Sequence, residues 1–185
     1  MTPQPIVRAL KPKDWKAFKE MRLMALQKDP KFFSTNANKE RTRFNLAWQE
    51  LCHQTKDQCM FGLFVGDELA GIAMITKTAD GLLFGGTWMK KQHRNEHHAN
   101  LLYAARVQWL ADNPRHNHAF VFHRDGNVKS KHLNQKHGGQ AIGRKRMSWA
   151  NSTKEYGHWY RVTPPTRRLI SSPSPSMKVA EQLAA

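Results

Sequence analysis

Cysteine is scarce in this chain: Cys52 and Cys59 are the two among 185 residues. That count allows one bridge and no disulfide framework, so a reducing, cytoplasmic setting is expected. No run approaches the roughly 18–20 consecutive apolar residues that a membrane-spanning helix needs. The opening MTPQPIVRALKPKDW has no apolar signal core, and secretion is not expected. Acidic side chains are few as well. There are 14 Asp and Glu against 30 Lys and Arg, a formal net charge of +16. Such a surface repels polycations and draws in polyanions: nucleic acid, ribosomes or a phosphate-rich cofactor. Aromatic–basic binding motifs are missing, so charge alone stops at that broad class. Internal repeats are missing too.

What is present supports one ordinary domain. Hydrophobic residues make up 39% of the chain, enough for a single core at this length. Residues 6–9 read as a short strand. Asp14 offers an N-cap, and Trp15, Phe18, Met21 and Ala25 recur at helical spacing until Asp29-Pro30 stops the helix. Residues 38–53 read as a second helix, with Phe44, Ala47, Trp48 and Leu51 on its inward face. The period then changes, giving strands at 60–65, 69–77 and 82–89, the first two joined as a hairpin by GDE. A helix over 99–112 follows, then a buried strand at 118–124. Asn127 caps a short helix over 128–137, and Gly138 takes the left-handed position after it. Two strands, 141–150 and 157–163, close the domain. The order β-α-α-β-β-β-α-β-α-β-β predicts an α/β (α+β) fold around a mixed, mostly antiparallel sheet. The domain is expected over 1–163. Residues 164–185 are rich in Pro, Ser and charge and read as a disordered tail. The tail ends in QLAA, which is similar to the end of a bacterial degradation tag.

The segment FGGTWMKKQHRNEHHANLL sits where a strand meets a helix. The first amides of a helix have no partner inside it, and the helix dipole adds partial positive charge there. With Lys90, Lys91 and Arg94 nearby, this junction predicts an anion site suited to a pyrophosphate.

On these residues the chain resembles the GNAT acetyltransferase superfamily over about 6–163. RALKPKDWKAFKEMRLMALQKDPKFF is similar to the family's N-terminal β-α segment. TWMKKQHRNEHHANLL lies where the family has its acetyl-CoA loop, with Arg94 at the first motif position and Ala99 at the last. VFHRDGNVKSKHLNQKHGG resembles the next strand–helix unit, with Asn127, Leu133 and Gly138 in the family's places. Gly85-Gly86 matches the bulge that splays the fourth strand from the fifth.

The resemblance implies a GNAT-like sheet flanked by about four helices and an N-acetyltransferase using acetyl-CoA. The pantetheine arm would pair with Trp88 and Met89. The pyrophosphate would rest on the amides of Arg94, Asn95, Glu96, His97, His98 and Ala99, with Asn127 also at the cofactor. A backbone N–H near Met89 would steady the oxyanion.

Three departures stand out. His97 holds the place of the loop's middle glycine. Asn134 holds the place of a tyrosine that protonates the leaving thiolate in many relatives, and Phe122 that of a base glutamate. His123 is the candidate base, and Tyr103, Tyr156 and Tyr160 are alternative acids. The acceptor amine is expected on, or bound to, a polyanion: nucleic acid, a ribosomal protein or a DNA-binding protein. Two other readings stay open. One is a nucleic-acid-binding protein that kept the fold and lost the chemistry. The other takes His93–His97 as His-x-x-Glu-His, a zinc-hydrolase pattern.

Overall fold

The computed structural model describes residues 3–164. The tail beyond them, including QLAA, lies outside the described residues. The strands are β1 (Pro5–Ala9), β2 (Gln58–Val65), β3 (Glu68–Thr78), β4 (Gly81–Met89), β5 (Ala119–Arg124), β6 (Gln140–Ser148) and β7 (Lys154–Val162). The helices are α1 (Trp15–Lys28), α2 (Ala37–Arg41), α3 (Asn45–Leu51), α4 (Glu96–Asp112) and α5 (Val128–Lys136). One sheet holds all seven strands in the order β1-β2-β3-β4-β5-β7-β6. Its neighbours are antiparallel except β4 and β5, which run parallel.

The sheet is covered on both faces, which explains the near-continuous apolar run of β2 and β3. One face packs on α1–α3, with Phe18, Met21, Trp48, Met60 and Ile72 in its core. The other packs chiefly on α4, with Leu63, Ile75, Phe84, Leu102 and Val121. Along β5 the alternation is plain. Val121 faces α4, while Arg124 reaches across the opposite face to the carbonyl of Lys31 at 2.7 Å.

α1 ends at Lys28, as Asp29-Pro30 predicts. The expected helix over 38–53 is instead two short helices, α2 and α3. Asn36 caps α2 by accepting from the Lys39 N–H at 2.9 Å. The Thr42 hydroxyl then donates to the Lys39 carbonyl at 2.8 Å, taking an acceptor at the end of that turn. Phe44 becomes the extended residue before α3 and is 84% exposed, not inward. Trp48 keeps its expected place in the core. α4 begins at Glu96, three residues before the predicted start, because the Asn95 side chain accepts from the His98 N–H at 2.7 Å. Gly138 has φ +76°, the left-handed conformation expected after α5.

Candidate active site

A bulge in β4 opens the site. On β3 the step from Ile72 to Met74 faces the longer step from Trp88 to Gly85, so β4 carries an extra residue. Gly86 absorbs it at φ +60°, where an L side chain is strained. β4 and β5 keep register only at Leu83–Phe120 and Phe84–Val121. Past that point β4 continues against β3 and β5 against β7, and the strands part. A cleft of about 650 Å³ fills the V. Trp88 and Met89 form one wall, Val121 and His123 the other, and α4 and α5 contribute at its side.

The sequence-predicted residues fall into two groups. Trp88, Met89, Arg94, Asn95, Glu96, Ala99, His123 and Asn127 line the cleft. His97 and His98 belong to the first turn of α4 but do not line it. His97 is exposed, and its backbone lies outside the left-handed region. An ordinary helical residue therefore stands where the motif has a glycine. The N–H of His98 is taken by Asn95, while the amides of Glu96 and His97 have no protein partner among the described residues. Unpartnered amides at a helix start are the kind of group that holds an anion.

The loop's charges are partly committed. Arg94 donates through Nη2 to Asp29 at 2.5 Å and through Nε to the Met89 carbonyl at 2.9 Å. Trp88 Nε1 donates to the same Asp29 oxygen at 2.7 Å. Burial opposes the Asp29 charge, yet these hydrogen bonds hold its carboxyl below the ordinary range. Lys90 and His93 both meet Glu68, at 2.7 and 3.0 Å. Glu96 pairs with Lys136 at 2.6 Å and so ties the start of α4 to the end of α5. The hydrogen bond from Lys136 holds that carboxyl below its usual value.

His93 lies in a short 3-10 turn and not on α4, which separates it from the helical face a His-x-x-Glu-His site requires. Among the described residues no group of three or more His, Cys, Asp or Glu is placed to hold a metal.

His123 is buried on the α4 and α5 face. Its Nδ1 meets the Arg124 carbonyl at 2.9 Å and therefore carries the proton. Its Nε2 accepts from the Tyr160 hydroxyl at 3.2 Å. Burial lowers its pKa against the opposing hydrogen bond to the Arg124 carbonyl and keeps the ring neutral. The ring of His158 stacks on it at 5.1 Å. Asn127 caps α5 by accepting from the Ser130 N–H at 3.2 Å.

Three further buried polar residues line the cleft: two arginines that the sequence motifs leave unassigned, and Asn134, at the place of the family's tyrosine. Arg22, on α1, is 6% exposed and meets Glu40 at 3.5 Å, while its Nη1 has no hydrogen-bond partner among the described residues. Arg106, on α4, is 2% exposed, and its Nε has no hydrogen-bond partner among the described residues. Asn134, on α5, is 1% exposed with Nδ2 unpaired. A sequence signal for the arginines existed. Each is a charged residue at core spacing on a helix, Arg22 between Phe18 and Ala25, and Arg106 between Leu102 and Trp109.

No protein-family model matches the sequence, and no curated protein matches it. Solved structures do match. An acetyltransferase of the GNAT family from Streptococcus pneumoniae superposes with a TM-score of 0.70 at 17% identity, covering 86% of this chain and 99% of that one. A putative acetyltransferase from Salmonella typhimurium, solved with its cofactor acetyl-CoA, gives 0.70 at 12% identity over 86% and 94%. This chain has the GNAT fold. A ribosomal L7/L12 alpha-N-protein acetyltransferase in complex with coenzyme A gives 0.68 at 13% identity over 86% and 93%. The mixed, mostly antiparallel GNAT sheet read from the sequence is the observed one, with five helices in place of about four.

Proposed function

We propose that this GNAT-fold chain is an acetyl-CoA-dependent N-acetyltransferase acting in the cytoplasm. The observation that carries the reading is the cleft where β4 leaves β5, with the start of α4 beside it. The residues present fit the donor. Past Phe84, β4 has no strand partner on its β5 side, so its backbone around Trp88 is placed to accept an extended arm as an added strand. The free amides of Glu96 and His97 fit a diphosphate. Arg94 would position the wall through Met89 and Trp88, and would contact phosphate only with the edge that Asp29 leaves free.

When bound, the thioester supplies an activated acetyl group. Held in the V, an amine and that group react with the rate gained from proximity. The Met89 N–H steadies the developing oxyanion. His123, kept neutral by burial, takes a proton at Nε2 when the Tyr160 hydroxyl turns aside.

The acceptor fits the charge balance best as an amine on, or bound to, a polyanion such as a ribosome or nucleic acid. The neighbour whose name specifies ribosomal L7/L12 supports this reading without extending to this chain.

Titration calorimetry with acetyl-CoA tests the donor, and mass spectrometry of ribosomes and RNA treated with labelled acetyl-CoA tests the acceptor. Saturable binding and label on either fraction are expected. A flat titration would remove the transferase and leave a nucleic-acid-binding protein on a GNAT scaffold, a reading that Asn134 and Phe122 at the acid and base positions already favour.

A further inference from the structure

Among the described residues Arg106 has no counter-ion. No carboxylate lies within ion-pair distance of it among the described residues, and no hydrogen bond engages its guanidinium. It lies over the rings of Tyr103 at 4.8 Å and Phe84 at 5.0 Å. Burial pulls its pKa down to about 10, with Tyr103 the one opposing influence. It still carries its charge at neutral pH. A buried cation without a partner is costly, and its persistence beside a cleft implies an anion that visits.

Asn134 adds a second unsatisfied group on the same side of the sheet, a buried amide whose Nδ2 donates to nothing. Both residues line the cleft. Position along α4 narrows the choice of anion. Arg106 lies ten residues past Glu96, about 15 Å along the helix axis. A diphosphate on the first turn would therefore be remote from it, at a separation comparable with an extended pantetheine arm. The sulfur end of that arm, and not its phosphate end, would then fall at the level of Arg106.

We propose that Arg106 and Asn134 form the site that receives the leaving thiolate. This rests on the transferase reading above. The acceptor nitrogen bonds to the acetyl carbon and the carbon–sulfur bond breaks. Its electron pair stays on sulfur as a thiolate, facing the Arg106 charge and the Asn134 Nδ2–H. The proton shed by the nitrogen passes to His123 Nε2. The arrangement needs no tyrosine acid, because the leaving group departs as an anion that the chain already accommodates.

The test is the thiol pKa of bound coenzyme A, read from thiolate absorbance during pH titration, with desulfo-coenzyme A as the control ligand. In the native protein the bound thiol should ionise at least one pH unit below the free thiol, making coenzyme A at least tenfold tighter than desulfo-coenzyme A at alkaline pH. Arg106→Met should abolish that preference while leaving desulfo-coenzyme A binding unchanged. Arg106→Lys should retain most of it, and Asn134→Ala should reduce it severalfold. An unshifted thiol in the native protein, or an equal shift in Arg106→Met, overturns the thiolate site and leaves the transferase reading standing. Failure to bind either ligand overturns both.

Discussion

Arg22 and Arg106 reach one cleft from opposite faces of the sheet. Arg22, on the α1 face, has Glu40 beside it, and Glu40 is shared with Arg43 at 3.2 Å. Arg106, on the α4 face, lies against the rings of Tyr103 and Phe84 with no acid beside it among the described residues. The α1 face has therefore balanced its buried charge from within the chain, and the α4 face has not. A folded protein carries an imbalance of that kind where something other than stability needs the charge. The difference separates a wall whose buried guanidinium has an acid beside it from one whose buried guanidinium has none among the described residues.

That comparison breaks most severely through the scaffold. Phe18 is fully buried and meets Trp48 edge-to-face at 5.8 Å. Phe18→Ala should cost about 3–5 kcal/mol in chemical denaturation. The two arginines should then respond with opposite signs. Arg22→Met leaves Glu40 with a single partner and should cost about 1–3 kcal/mol. Arg106→Met removes a charge that nothing balances and should raise stability by about 1–2 kcal/mol in the absence of ligand. A loss at both positions would erase the distinction between the faces.

A smaller effect comes from the start of α4. Asn95→Ala removes the cap on His98 and should cost about 1 kcal/mol, with weaker coenzyme A binding measured alongside. The finest test is a slope. His123 has a folded pKa below the ordinary value of about 6.5, so the unfolded chain binds more protons in that window. Stability contributed by neutral His123 is complete above about pH 6.5 and is lost as pH falls toward the folded value. Thermal melts of His123→Gln should show a shallower acid decline than the native protein.

Much of this was legible in the sequence. The β-rich apolar runs of β2 through β4 and the Asp29-Pro30 stop gave those elements to within a few residues. Gly85-Gly86 marked the bulge, because only glycine takes φ +60° without strain. The helix expected over 38–53 divides into α2 and α3 although Phe44, Ala47, Trp48 and Leu51 fit a helical period. A hydroxyl competing for a backbone carbonyl leaves no trace in periodicity. Arg94 was legible as a cation at the loop, but not as one held by Asp29, which lies 65 residues away in the chain. His97 and His98 share the loop with residues that line the cleft, yet helical rotation turns them away from it.

The sequence by itself determined the elements, their order and the strongly basic surface, because propensity, spacing and charge are local properties of the chain. Which charges are balanced was decided only in three dimensions. Ion pairing depends on separations of a few ångströms between residues far apart in sequence, so Arg22 and Arg106 look alike until the sheet places one beside Glu40 and the other beside an open cleft.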